Sequence, residues 1–391
     1  HKYENDDGYD MNSMDMAILF LDEDGDEISK HTVNFGFFDD AADTYDEAYD
    51  DYAFSVTHDT EGRVILGGYT KQLQDDYSQK YLFALARFEF GSEWQLDEDF
   101  GTDGIDTIEL SGITFHMGSV SVATNSSDEI FIAGYTNNGT DNDFTVVKYD
   151  YDGSHATLIK DIYGSTETVN ALYMNEDDEL FAAGYGLDGS DIKLIVAKIE
   201  DNGSSLSLDE SFGEDGTGYV DYRHDDSPTY ANAVTTDSNG NVVVGGYIYN
   251  GDGYGSLIVR YDADGILDDD FASSGAFQEE LSEDNDYIHG LVTDENNSIY
   301  ALGYTYSNSD STGDLALINI YGYDPDIEED CEDGIDNNGD SKIDCDDSQC
   351  TSENSACVDD SETSCDDGED NDGDDNIDCE DSDCIFASAC D

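Results

Sequence analysis

The residues best placed to do chemistry stand in two matching copies near the C-terminal end. The first runs Cys331-Glu-Asp-Gly-Ile-Asp-Asn-Asn-Gly-Asp-Ser-Lys-Ile-Asp-Cys345-Asp-Asp-Ser-Gln-Cys350. The second runs Cys365-Asp-Asp-Gly-Glu-Asp-Asn-Asp-Gly-Asp-Asp-Asn-Ile-Asp-Cys379-Glu-Asp-Ser-Asp-Cys384. An offset of 34 residues carries Cys331, Cys345 and Cys350 onto Cys365, Cys379 and Cys384. Oxygen-bearing side chains fall on alternate positions in both copies, the spacing a loop needs to fold around a hard cation.

The spacing points to calcium. Asp336, Asn338, Asp340, Lys342, Asp344 and Asp347 occupy positions 1, 3, 5, 7, 9 and 12 of a twelve-residue loop, and Asp370, Asp372, Asp374, Asn376, Asp378 and Asp381 repeat them. An EF-hand-type loop supplies oxygens at these offsets, position 7 through its backbone carbonyl. Ile343 and Ile377 fall at position 8, where such a loop turns an apolar side chain inward. Two features depart from that pattern. Position 6 is Ser341 or Asp375 instead of Gly, with Gly339 and Gly373 at position 4, and position 12 is Asp instead of the longer Glu. The competing reading is a solvated acidic tail, but random acidity does not duplicate offsets, Ile and cysteines together. Magnesium prefers fewer protein ligands and retains water. Zinc is disfavoured because no Cys-x2-Cys pair occurs and the neighbours are carboxylates.

All eight cysteines lie beyond residue 330: Cys331, Cys345, Cys350 and Cys357, then Cys365, Cys379, Cys384 and Cys390. An even count in a short, loop-rich segment reads as a disulfide framework of an oxidising compartment. Pairing within each copy is expected, and each set of four leaves three connectivities open. A segment so poor in apolar residues needs metal and disulfides to hold it.

A formal net charge of −83, from 96 acidic residues against 13 Lys and Arg, excludes nucleic acid as a partner. It also argues against anionic membrane surfaces. No apolar stretch approaches the length of a membrane span. Aromatic residues at 12% and 38 glycines argue for a folded chain, since disordered ones are aromatic-poor. The opening at His1 reads as a processed mature form whose signal peptide has been removed.

A second periodicity runs through the rest of the chain. Its anchor is an apolar strand ending in Gly-Tyr: Val64–Tyr69, Ile130–Tyr135, Leu180–Tyr185, Val242–Tyr247 and Ile299–Tyr304, at steps of 66, 50, 62 and 57 residues. A short strand and an acidic turn precede each anchor, and an alternating strand such as Phe83–Phe88 or Leu257–Tyr261 follows it. Short β-branched and aromatic runs with Asp-Gly and Asn-Gly turns are hairpin signals. Four strands at such a period make one propeller blade.

The phrases Leu96-Asp-Glu-Asp-Phe-Gly-Thr-Asp-Gly104 and Leu208-Asp-Glu-Ser-Phe-Gly-Glu-Asp-Gly216, with a weaker copy at Leu267–Gly275, resemble the delta-60 repeat of secreted bacterial and archaeal β-propellers. The repeat between Tyr149 and Gly164 lacks the phrase. The tail resembles thrombospondin type 3-like, Cys-rich metal-binding repeats of cell-surface proteins. These resemblances imply calcium and an extracellular or cell-surface location, and no catalytic activity.

The expected fold is all-β. Residues 1–323 form a propeller of about six four-stranded antiparallel blades, and residues 324–391 a loop-rich tail with copies 331–357 and 365–390. Met16–Phe20 and the remnant Gly8-Tyr9 lead, and the last repeat ends near Tyr323, so N-terminal strands are expected to complete the ring. The alternative is that a neighbouring molecule fills the gap. Phe54, Val120, Asn170, Asn232 and His289 align in one innermost column, whose three polar members are expected to hydrogen-bond neighbouring strands rather than to line a catalytic channel. The seven His residues show no paired spacing, and with 96 carboxylates a close pair carries no weight. Gly251–Gly255 is a hairpin turn and no phosphate cradle. Sequons at Asn125, Asn138, Asn202 and Asn296 permit N-glycosylation on surface turns.

The expectation is therefore a secreted, calcium-binding structural or adhesive protein and not an enzyme. Its partner is another copy of itself or another cell-surface component, in a filament or surface layer with the tail as connector. The alternative is a propeller face that binds a glycan or peptide, to be marked by tyrosines clustered on one face; a third reading, behind both, is a propeller hydrolase or lyase.

Overall fold

The Gly-Tyr anchors become the second strand of each sheet. The computed structural model describes residues 2–4, 10–12, 14–22, 24–35, 50–73, 79–110, 114–115, 119–149, 155–214, 216–251, 253–272, 274–282, 285–307 and 312–320. All regular structure in them is β; they contain no helix. The metal-loop residues, all eight cysteines and Gly8-Tyr9 lie outside the described residues.

Chain-neighbouring strands pair antiparallel into the blades, and one parallel pairing, Tyr254 with Asn285, joins the fifth and sixth blades into a single seven-stranded sheet. The first is a hairpin, Met16–Leu21 with Glu27–Val33. The second holds Asp50–His58, Val64–Leu73 and Gln79–Phe90. The third holds Ser121–Thr124, Ile130–Asn137, Asn142–Tyr149 and His155–Lys160. The fourth holds Glu167–Met174, Leu180–Asp188 and Asp191–Asp201. The fifth holds Thr229–Thr236, Val242–Tyr249 and Tyr254–Tyr261. The sixth holds Asn285–Thr293, Ile299–Ser307 and Thr312–Ile320.

The Leu-Asp-x-x-Phe-Gly phrase explains the outermost strands. In the second blade two short segments, Trp94–Leu96 and Ile105–Ile108, pair with Gln79–Phe90 on either side of the phrase. The fourth blade repeats this with Leu206–Leu208 and Tyr219–Tyr222. The third blade lacks the phrase and has one continuous outer strand. The Asp of the phrase caps its own turn and pairs with a cation of the third strand. Arg87 Nε meets Asp97 Oδ2 at 2.7 Å, and Arg260 Nε meets Asp268 Oδ2 at 2.7 Å. The Phe of the phrase lies under the same guanidinium: Phe100 under Arg87 at 4.7 Å and Phe271 under Arg260 at 4.6 Å. A cation stacked on an aromatic face and bonded to a carboxylate is satisfied on both counts while buried.

Each interface between consecutive blades carries its own apolar cluster. Phe20, Val33 and Phe35 of the first pack on Leu66, Ala84 and Phe88 of the second. Val243, Ile258 and Phe271 of the fifth pack on Ile288, Ile299 and Ile318 of the sixth. Each fully buried side chain of this size contributes about 1.5–3 kcal/mol. The N-terminal hairpin thus serves as a blade packed on the second one. The expected closure, with N-terminal strands completing the last blade, is not seen: among the described residues the sixth blade has three strands, and no pairing joins Thr312–Ile320 to the first hairpin. Apolar side chains stay exposed at both ends, Leu19 and Ile28 on the hairpin and Leu315 and Leu317 (87% and 69%) on the last strand.

Candidate functional site

The innermost strand of four blades carries a bulge at one position. Pairing with the Gly-Tyr strand skips a residue between Ala53 and Ser55, Val169 and Ala171, Ala231 and Ala233, and Ile288 and Gly290. The extra residues are Phe54, Asn170, Asn232 and His289, four of the five members of the predicted column. A bulge re-aims its side chain and bends the strand. It also explains the glycine of Gly-Tyr. A Cβ on Gly68, Gly246 or Gly303 would stand 1.8 Å from the carbonyl oxygen of Tyr52, Tyr230 or Tyr287, and one on Gly184 would stand 2.0 Å from that of Thr168.

The bulged residues do two different things. Asn170 donates its side-chain amide to the Ala231 carbonyl at 2.7 Å, and Asn232 donates to the Ile288 carbonyl at 2.9 Å. Each therefore ties its blade to the next, as expected of the column. Phe54 and His289 instead stack on the Gly-Tyr tyrosine of their own blades: Phe54 on Tyr69 (5.5 Å, 25°) and His289 on Tyr304 (5.4 Å, 7°). Both are exposed.

Around them the tyrosines form an array. Tyr52 pairs directly with Tyr69, Tyr230 with Tyr247 and Tyr287 with Tyr304. Ring centroids in these pairs are 4.8, 4.6 and 5.0 Å apart. Contacts then cross from blade to blade: Tyr185 to Tyr230 at 5.0 Å and Tyr247 to Tyr287 at 5.0 Å. Tyr254 of the fifth blade reaches Tyr287 at 5.6 Å. The result is a continuous aromatic band over the fourth, fifth and sixth blades, ending at Tyr304 (40% exposed) and His289. Most of its rings are half-buried.

Partial burial pushes the Tyr69 phenol up to about 12 and raises that of Tyr247, and loss of solvent around its ring lowers the His289 imidazole. A neutral phenol both donates and accepts a hydrogen bond, and its ring face is a region of negative charge density. The band therefore offers flat faces and hydroxyls to a ligand with C–H faces and hydroxyls of its own.

The column was legible in the sequence; the partner tyrosines were not. Their signal is a constant step of 17 residues, Tyr52 to Tyr69, Tyr230 to Tyr247 and Tyr287 to Tyr304, with Thr168 to Tyr185 as the variant. Of the sequons, Asn125 holds its own turn, its Oδ1 accepting from the Glu129 amide at 2.9 Å and its Nδ2 donating to the Glu129 carboxylate at 2.7 Å. Asn138, Asn202 and Asn296 are exposed in turns. A separate cleft of about 490 Å³ lies between the fourth and fifth blades, lined by Tyr219, Asp221, Tyr261 and Leu267 among others.

No protein-family model and no curated protein matches the chain. Solved structures do resemble it. The endo-arabinase from Bacteroides thetaiotaomicron is 11% identical over 69% of this chain and 93% of its own, with a TM-score of 0.39. A polysaccharide lyase described as an ulvan lyase is 11% identical over 68% of this chain and 66% of its own, at 0.43. A fucose lectin from Kordia zhangzhouensis is 15% identical over 39% of this chain and 94% of its own, at 0.24. These likenesses concern the propeller-type fold alone. The expectation that this chain is not an enzyme is not upheld: the structures it resembles include an arabinase and a polysaccharide lyase, and a fold of this kind does not by itself decide activity.

Proposed function

We propose that the tyrosine band is a binding face for a neutral saccharide, on a secreted protein. The observation that carries this is the continuity of Tyr185, Tyr230, Tyr247, Tyr287 and Tyr304 across three blades, with His289 stacked at its exposed end. A band of tyrosine rings packed edge-to-face and stacked, with phenol hydroxyls along it, suits a sugar, whose C–H groups meet aromatic surface while its hydroxyls pair with phenols. The net charge of −83 repels anionic polysaccharides and selects uncharged ones. A glycan array probed with the labelled protein tests this: neutral glycans are retained and sulfated or uronate-rich ones are not. Retention of anionic glycans alone would contradict it.

A second reading concerns assembly, and the exposed apolar ends of the blade series favour it. Leu19 and Ile28 at one end and Leu315 and Leu317 at the other suit head-to-tail contact between copies, the geometry that gives rings or filaments. In this reading the tail binds calcium through Asp336, Asn338, Asp340, Lys342, Asp344 and Asp347 and the matching set Asp370, Asp372, Asp374, Asn376, Asp378 and Asp381. Disulfides and the ion together order it as a connector at a cell surface. Imaging the native material with and without calcium tests this reading.

A further inference from the structure

We propose that Asp143, Asp161 and Glu167 hold a calcium ion at the junction of the third and fourth blades, a site separate from both the tyrosine band and the tail. Asp143 lies on the third strand of the third blade, Asp161 follows that blade's outer strand, and Glu167 opens the innermost strand of the fourth. The short connection 161–166 brings them together. One carboxylate oxygen from each lies within 4.8 Å of the others. Oxygens facing each other across a calcium ion stand about 4.6–5.2 Å apart, twice the calcium–oxygen distance.

The second observation is the state of the buried oxygens. Asp143 is 4% exposed and Glu167 is fully buried. One oxygen of each is satisfied: Asp143 Oδ2 accepts from the Asn138 side-chain amide at 2.9 Å, and Glu167 Oε1 accepts from the Tyr163 backbone N–H at 3.0 Å. The other oxygens, Asp143 Oδ1 and Glu167 Oε2, are buried without a hydrogen-bond partner. A buried carboxylate oxygen without a donor is costly, and bringing like charges together adds to the cost. A hard divalent cation answers both. Asp161 is exposed and anchored by the Gly164 N–H at 2.5 Å, so it offers a third ligand and leaves a path for exchange.

Two related acids mark what is special here. Asp51 and Asp286 open their innermost strands as Glu167 does, and each also keeps one buried oxygen without a partner. Among the described residues, only the Glu167 position gathers two further carboxylates at ligand distance. Calcium rather than magnesium fits, because the protein supplies several oxygens and magnesium keeps most of its water.

Terbium luminescence in the full-length protein tests the site. Terbium replaces calcium and is excited through nearby tyrosine, here Tyr163, and the ligand variants below separate emission at this site from emission elsewhere in the chain. The expected result is calcium-displaceable emission at high ionic strength. Its midpoint should weaken at least about tenfold in Asp161→Asn and in the Asp143→Asn, Glu167→Gln double variant. Calcium stoichiometry by calorimetry should fall by one. Asp161→Asn touches an exposed side chain, so a loss there cannot be ascribed to misfolding, and Asp51→Asn should leave emission unchanged. Unchanged emission and stoichiometry in both ligand variants would overturn the proposal. So would a Glu167→Gln protein that melts higher than wild type while calcium shifts neither, the signature of a site that carries a proton instead.

Discussion

Asn232 reaches across a blade interface and donates its side-chain amide to the backbone carbonyl of Ile288, 2.9 Å away. The accepting residue immediately precedes His289, the next bulged position, so this bulge bonds to the backbone beside the following one. Asn170 does the same to Ala231. Replacing Asn232 with Ala leaves a carbonyl without its donor at a cost of about 1–3 kcal/mol. For a domain of this size that is about 2–4 °C in melting temperature for each kcal/mol. Calorimetry of Asn232→Ala beside His289→Ala checks it: the first melts lower, and the second, exposed at the end of the series, stays near wild type.

The Gly-Tyr glycine Gly246 is expected to be intolerant of substitution, and Gly290, beside the bulge of the sixth blade, indifferent. A Cβ at Gly246 would stand 1.8 Å from the Tyr230 carbonyl, whereas nothing lies within 4 Å of one at Gly290. Gly246→Ala should lose several kcal/mol or fail to fold, because backbone must move to admit the methyl. Gly290→Ala should stay within about 0.5 kcal/mol of wild type. Urea unfolding of both compares them directly.

Stability should carry a pH signature from Asp51. Burial, reinforced by Asp15 and Asp50, raises its carboxyl to about 6, against 3.8 for the ordinary group. Between those values the folded state holds a proton that the unfolded chain has released, so stability falls as pH rises through that window and levels off above it. The loss is about 1.4 kcal/mol for each unit of pH in the window. Asp51→Asn keeps an acceptor for the Phe35 N–H, now 3.1 Å from Asp51 Oδ2, and removes this slope. Repulsion among the other carboxylates acts in both proteins, so the difference between their unfolding free energies isolates Asp51. Equal slopes would refute this assignment.

The calcium reading of the tail makes its own prediction. Chelation together with a reductant should open residues 324–391 to protease while the blades resist. Digestion followed by mass spectrometry reads the cut sites, and a tail equally resistant before and after both treatments would refute the reading.

The strands were legible because each repeat states them locally: Val64–Tyr69 and Phe83–Phe88 fall inside Val64–Leu73 and Gln79–Phe90. The guanidinium over Phe100 and over Phe271 was not legible, because Arg87 and Phe100 are joined by the fold and not by a local rule. The same holds for the hairpin at Met16, whose neighbour is set by the packing of Phe20 on Phe88. The candidate site was half legible. The column Phe54, Asn170, Asn232 and His289 emerged from alignment of the repeats, while the band needed contacts between blades that sequence spacing does not encode. The expectation of a non-enzyme failed for a related reason. Absence of a local catalytic motif says little where a site is assembled from several blades, and 96 carboxylates hide any pair that matters.

The central claim is that the tyrosine band binds a neutral saccharide, and titration calorimetry tests it most directly. The ligand is a neutral oligosaccharide retained on the array, titrated into wild type, Tyr304→Ala, His289→Ala and, as a control on a remote exposed aromatic, Phe90→Ala. The predicted result is binding by wild type and Phe90→Ala, weakened at least about tenfold, or 1.4 kcal/mol, in the other two. Equal affinity in all four proteins, or no binding of any neutral saccharide, would contradict the account.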